Sequence, residues 1–231
     1  MIRSAIFDLD GTLVDTAGDL IAAMNAVAHR FDLPEIDPVE GRPAAGKGGR
    51  GLMRHAAAKV GRLLTDDQIL AAYPPFLDAY EARISERSCY FPGAEAALDA
   101  LIADGWRVGV CTNKPERLAR MLIDRLGGGG RYGVLLGADS LPVRKPDPLH
   151  VLTTIERLGG APDRAVMVGD TETDRLAAAA AGVPCALFAG GFSSTPVADL
   201  KPEAVFETFE ELPALAARLI GKPLDDRARP A

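Results

Sequence analysis

At 231 residues the chain is long enough for one large α/β domain, or for a main domain with a smaller inserted one, each able to bury a core. Hydrophobic residues make up 48% and charged residues 25%, near the averages for globular proteins, and no repeat, heptad run or biased tract is present, which sets aside a solenoid or a fibre. The formal net charge is -6 with basic residues scattered among acidic ones, so neither nucleic-acid nor anionic-membrane binding is expected.

The first apolar run, residues 4–8, ends in Phe7-Asp8-Leu9-Asp10-Gly11-Thr12. An aspartate arrives there before any apolar stretch as long as a signal-peptide core, so a cytoplasmic protein is expected. Over residues 15–87 the strand pattern disappears. Leu20, Ile21, Met24, Val27 and Ala28 recur in steps of three and four, as do Leu52, Met53, Ala56 and Val60. Pro34, Pro38, Pro43 and Pro74-Pro75 divide this stretch into several helices. A separate helical domain is predicted over residues 15–87, with residues 1–14 and 88–231 forming the main domain.

After Phe91-Pro92-Gly93 an amphipathic helix carries Ala97, Leu98, Leu101 and Ile102. Apolar runs at residues 107–112, 133–136, 165–169, 185–188 and 204–206 then alternate with helical patterns, which predicts an α/β fold with a parallel sheet flanked by helices. The longest apolar stretch, residues 176–189, is broken by Gly182 and Pro184 and is too short to span a bilayer. Cys89, Cys111 and Cys185 are odd in number and lack Cys-x-x-Cys spacing, so neither a disulfide framework nor a zinc site is supported.

Three of the runs end in polar residues followed by a helix start: Asp8-Leu9-Asp10-Gly11, Thr112-Asn113-Lys114-Pro115 and Gly169-Asp170-Thr171-Glu172. Ligands of open α/β sheets bind beyond the carboxyl ends of the strands, so these clusters are expected to share a crevice. A helical insertion after the first strand would sit over that end as a lid.

Asp8 and Asp10, two residues apart, point to one face if strand geometry persists. Two such charges either raise one pKa or are neutralised by a cation, and hard carboxylate oxygens suit Mg²⁺. Gly11 lets the backbone turn sharply. The blander reading is that the aspartates only end a strand and cap a turn.

Thr112 and amides near Asn113 could form an anion site at a helix start, or serve as an ordinary N-cap. Lys145, held before Pro146, could balance both a phosphate and a carboxylate. Asp170 ends a strand, and Asp174 lies on the same face of the next helix, either as a further acidic group of the site or as a first-turn residue favoured by the helix dipole.

Taken together, these four clusters resemble the motifs of the haloacid dehalogenase-like superfamily of phosphohydrolases, over the whole chain. The resemblance implies a doubly wound, Rossmann-like parallel-sheet core with an inserted helical cap domain. Asp15 in Leu13-Val14-Asp15-Thr16 and the ending Phe209-Glu210-Glu211-Leu212-Pro213 are similar to the phosphoglycolate phosphatase branch.

By the resemblance, Asp8 is the nucleophile that forms an aspartyl-phosphate, and Asp10 protonates the leaving alcohol and then activates water. Mg²⁺ is held by Asp8, Asp170 and the carbonyl of Asp10, with Asp174 behind or beside them. Thr112 and amides near Asn113 and Gly11 bind phosphoryl oxygens, and Lys145 neutralises charge. Asp10 argues against a dehalogenase, which does not need the second aspartate.

The Gly-rich segment Ala45-Gly46-Lys47-Gly48-Gly49-Arg50-Gly51-Leu52 looks like the family's cap specificity loop, with Lys47 or Arg50 reaching an anionic group on the leaving portion. A solvated linker between helices is the alternative. The expected partner is a small phosphorylated metabolite, for a monomer or homodimer. Phosphoglycolate is favoured over sugar phosphates, nucleotides or pyrophosphate; a phosphosugar mutase of the same fold and a non-catalytic phosphate sensor are the competing functions.

Overall fold

A computed structural model describes residues 2–220; Met1 and residues 221–231, which the predicted main domain includes, lie outside the described residues. The chain begins with β1 (Arg3–Phe7), whose Ala5, Ile6 and Phe7 are fully buried. Burial on both faces makes such a strand read as a continuous apolar run. The short strand β2 (Val14–Asp15) leads into α1 (Ala17–Ala28), α2 (Arg42–Ala45), α3 (Gly48–Lys59) and α4 (Asp66–Glu81), and β3 (Cys89–Tyr90) follows. Helix and strand then alternate through α5 (Ala94–Ala103), β4 (Trp106–Cys111), α6 (Glu116–Arg125), β5 (Val134–Leu136), α7 (Pro148–Arg157), β6 (Ala165–Gly169), α8 (Glu172–Ala181) and β7 (Cys185–Phe188), after which β8 (Ala204–Phe206) follows without an intervening α-helix and α9 (Leu212–Leu219) comes last. Among the described residues the chain divides into two compact units, one of residues 15–89 and one of residues 2–14 with 90–220.

In the second of these, six strands form one sheet in the order β5-β4-β1-β6-β7-β8, with parallel pairing throughout. The chain leaves β1 toward β4 and β5, then returns to β6 and continues to the other edge. The connections therefore diverge between β1 and β6, the place where an open α/β sheet leaves a crevice at its carboxyl end. Ile6, Met167, Cys185 and Leu187 pack with Val151, Ile155 and Leu158 of the α7 region and Ala177, Ala178 and Ala181 of α8. The alanines of α8 let that helix lie close to the sheet. Among the described residues no helix is long and apolar enough to cross a membrane.

The helical unit follows its periodicity in α1, where Leu20, Ile21, Met24, Val27 and Ala28 are all buried. Two expectations change there. Pro74 and Pro75 do not separate helices but lie inside α4. That helix starts on a Thr65–Gln68 capping box and buries Ile69, Ala72, Phe76 and Tyr80, so packing on both flanks of the prolines outweighs their missing N–H donors. The Gly-rich segment is not an open loop either: from Gly48 onward it is the first turn of α3, and Arg50 is helical. Gly49 is there for contact, since a Cβ would collide with the Phe76 ring.

Candidate active site

Register brings three strand ends level. Phe7 pairs with Val110 on one side and Val168 on the other, so Asp8, Thr112 and Asp170 all follow within two residues of the same rung. The Asp8 amide donates to the Val168 carbonyl at 2.9 Å, carrying the alignment one residue past β1.

The hub is Lys145. Its side chain is 1% exposed, and its Nζ lies 3.1 Å from Asp8 Oδ1 and 2.7 Å from Asp174 Oδ1. Burial disfavours the ammonium, but the Asp174 and Asp8 carboxylates outweigh it and hold the lysine above its ordinary range, so it is a fixed cation. The Lys145–Pro146 peptide bond is cis, and Asn113 Nδ2 donates to the Lys145 carbonyl at 2.9 Å. The Asn113 side chain thus ties the loop after β4 to the lysine.

Asp8 Oδ1 also accepts the Leu9 amide at 2.7 Å. Its other oxygen has no such partner among the described residues. Burial pushes the Asp8 carboxyl up to about 6 despite the opposing pull of Lys145, with Asp174 and Asp10 adding to the rise. Asp174 is fully engaged: Oδ2 accepts the Asp170 amide at 3.3 Å, the Thr171 amide at 3.1 Å and the Thr171 hydroxyl at 2.8 Å. It therefore does two things at once, closing the first turn of α8 and orienting Lys145.

Asp170 is fully buried. Thr12 Oγ1 donates to its Oδ1 at 2.8 Å and the Phe192 amide to its Oδ2 at 2.7 Å. Burial, then the charges of Asp174 and Asp8, raise its carboxyl well above the usual range. Gly11 makes this approach possible: it has φ +82, and a Cβ there would collide with Asp170 Oδ2.

Oxygens of Asp8, Asp170 and Asp174 all lie within 4.8 Å of one another. Three buried or half-buried carboxylates beside one ammonium leave two negative charges unbalanced. A hard divalent cation fits both the donor set and that deficit.

Asp10 is not part of this trio. Its oxygens lie 2.9 and 3.1 Å from the Nζ of Lys114. The two aspartates of the first motif therefore answer to two different lysines. Thr112 is buried, and its hydroxyl accepts the Lys114 amide at 3.3 Å. Lys114 and the Phe192 amide are the partners that the sequence left unassigned: Lys114 is visible only as part of a tripeptide, and an amide more than twenty residues past Asp170 carries no sequence signal.

Lys47 and Arg50 belong to the helical unit. Lys47 is exposed at the start of α3, and the Arg50 guanidinium lies 4.8 Å from the centre of the Tyr73 ring. Below the sheet's carboxyl end, Cys111 is buried with its thiol pushed up to about 12 by desolvation, which leaves it un-ionised and inert.

Residues 2–182 match the family model for haloacid dehalogenase-like hydrolases. A phosphoglycolate phosphatase of Caulobacter vibrioides is 38% identical over 214 residues, 93% of this chain and 90% of that one. One from Rhodospirillum rubrum is 40% identical over 216 residues, 92% of this chain and 90% of that one. The crystal structure of a predicted phosphoglycolate phosphatase from Haemophilus somnus superposes with a TM-score of 0.83 at 27% identity, covering 93% of this chain and 97% of that one. With its parallel sheet and the carboxylates gathered at the ends of β1 and β6, the chain belongs to the haloacid dehalogenase-like hydrolase family.

Proposed function

We propose that this chain is an Mg²⁺-dependent phosphatase for small phosphate monoesters, with 2-phosphoglycolate, hydrolysed to glycolate and phosphate, as its favoured substrate. The observation that carries this reading is the state of Asp8. One oxygen is held by Lys145 and the Leu9 amide, and the other accepts no hydrogen bond among the described residues, beside the buried carboxylates of Asp170 and Asp174. A carboxylate fixed on one side and bare on the other is arranged as a nucleophile.

In the first step Asp8 Oδ2 attacks phosphorus, the bond from phosphorus to the ester oxygen breaks with its electron pair going to that oxygen, and the oxygen takes a proton from Asp10. In the second, Asp10 removes a proton from water, the water oxygen attacks phosphorus, and the Asp8 oxygen leaves as carboxylate. Ester and water become alcohol and phosphate, and both aspartates return to their starting states. Mg²⁺ held by the carboxylates of Asp8 and Asp170 and the Asp10 carbonyl, with Asp174 behind them, would neutralise charge on the transferring group. Lys145 contributes a fixed cation to the same end, and Thr112 with amides near Gly11 and Asn113 binds phosphoryl oxygens.

The substrate preference rests on the names of the relatives and on two cations in the helical unit. Lys47 or Arg50 is proposed to bind the carboxylate of the leaving portion. Lys47→Ala or Arg50→Ala should raise KM for 2-phosphoglycolate by about tenfold, the worth of one exposed charge-assisted hydrogen bond, while leaving a neutral ester unchanged. Equal effects on both esters would remove these residues from the specificity site.

The decisive measurement is phosphate release from a panel of phosphate esters with Mg²⁺, comparing the chain with Asp8→Asn. Release that is absent from every ester, or that survives Asp8→Asn, overturns the reading. A mutase would isomerise a sugar phosphate while releasing little phosphate, so product analysis in the same assay separates it.

A further inference from the structure

Buried Lys114 and half-buried Asp10 form an ion pair, whereas the acidic trio's own lysine, Lys145, pairs with Asp8 and Asp174. We infer that Lys114 is the positioning residue for Asp10: it fixes the carboxylate by both oxygens in the orientation from which proton exchange with the leaving oxygen, and then with water, takes place. This rests on the phosphatase reading above.

The geometry is symmetric, with Nζ 2.9 Å from one oxygen and 3.1 Å from the other. A carboxylate gripped in this way cannot rotate about its Cβ–Cγ bond without losing a contact, yet each oxygen keeps a lone pair for a proton. The lysine side chain is 3% exposed and the aspartate's 21%, so the ammonium is enclosed while the carboxylate keeps access to the crevice. A surface pair such as Arg54–Asp66, at 55% and 90% exposure, has no such asymmetry.

The fold also holds Lys114 in place from behind. The Thr112 amide donates to the Leu136 carbonyl at 3.0 Å and the Ala138 amide to the Lys114 carbonyl at 2.9 Å, clamping the loop to the chain that follows β5. Gly137 permits the contact, because a Cβ there would collide with the backbone of Lys114 and Glu116. Asp10 is anchored in turn by its bridge to Val14. Lysines are seldom buried unless paired, and the backbone of this one is held so that its head meets the Asp10 carboxylate.

A positioning role and a merely structural ion pair make different predictions about leaving groups. An alkoxide must be protonated as it leaves, whereas p-nitrophenolate leaves without a proton, and kcat/KM reports that step. Lys114→Met should lower kcat/KM for the best alkyl monoester of the panel by about 10²-fold, the scale of a general-acid contribution, and for p-nitrophenyl phosphate by no more than about threefold. In an Asp10→Asn background Lys114→Met should cause no further loss on either ester, since a residue that acts through Asp10 has nothing left to act on.

Equal losses on both esters, or losses that add to those of Asp10→Asn, overturn the inference. If Lys114→Met alone does not fold, the double variant carries no unpaired buried charge, and its comparison with Asp10→Asn alone still decides. A wild-type chain that cleaves neither ester overturns the phosphatase reading as well, whereas a wild-type chain active on both with equal losses in the variant overturns only the role of Lys114.

Discussion

Both units bury aspartates completely, and Asp19 of one and Asp170 of the other are satisfied in opposite ways. Asp19 of α1 receives the Arg87 amide on both oxygens at 3.0 and 3.1 Å, the Ser88 amide at 2.9 Å and the Ser88 hydroxyl at 2.6 Å. These hydrogen-bond donors are all neutral groups of one short segment, so the charge is spread over hydrogen bonds and the carboxylate acts as a staple between α1 and residues 87–88. Asp170 has one hydroxyl and one amide, and its other neighbours include the carboxylates of Asp8 and Asp174. A buried acid saturated by donors is architecture. One set among other acids needs positive charge beyond what the one lysine beside it supplies.

The strongest way to break this contrast is at Asp8. Asp8→Asn keeps the shape of the side chain and should lower kcat by at least about 10⁴-fold, as loss of a nucleophile does, without lowering Tm. A fold that collapsed instead would make Asp8 structural, like Asp19.

Cation binding sharpens the contrast next. Mg²⁺ at a hundred times its Kd should stabilise the folded chain by about 2.7 kcal/mol, read as a rise in Tm. Asp170→Asn should abolish that rise and Asp19→Asn should leave it intact. A rise that persists in Asp170→Asn would move the cation site away from the trio.

Asp19→Ala tests the other half. It strands two amides and a hydroxyl in a dry site and should lower the unfolding free energy by about 2 kcal/mol in urea titration, while the folded fraction keeps its kcat/KM.

The smallest effect concerns pH. His150 is buried with Nε2 3.1 Å from the Gly137 carbonyl, while Nδ1 has no partner. Burial, with the Lys145 charge second, lowers its pKa from 6.5 to about 4. The unfolded chain therefore binds the proton first, so this contribution to stability is complete above 6.5 and is lost as pH falls toward 4. His150→Gln should flatten the urea midpoint across that window.

Much of the sheet was legible in advance because its central strands are buried on both faces and stand out as apolar runs: the runs at residues 165–169 and 185–188 coincide with β6 and β7, and the run at 204–206 with the partly exposed edge strand β8. Helix periodicity did as well in α1 and α5, though Ile102 and Val60, read as part of apolar stripes, are 39% and 51% exposed. The prolines of α4 and the glycines of α3 were misleading. A local rule treats Pro as a breaker and Gly as slack, whereas here packing around Phe76 governs both.

By itself the sequence determined the fold class, the family, and which residue types would stand at the ends of β1, β4 and β6, since burial pattern and motif spacing are properties of short windows. Tertiary structure alone decided which lysine meets which carboxylate, that Asp174 closes a helix while holding Lys145, and that the Phe192 amide completes the shell of Asp170. Those pairings depend on strand register and on how closely one loop can approach another. The groups involved lie 29 residues apart for Lys145 and Asp174, 104 for Lys114 and Asp10.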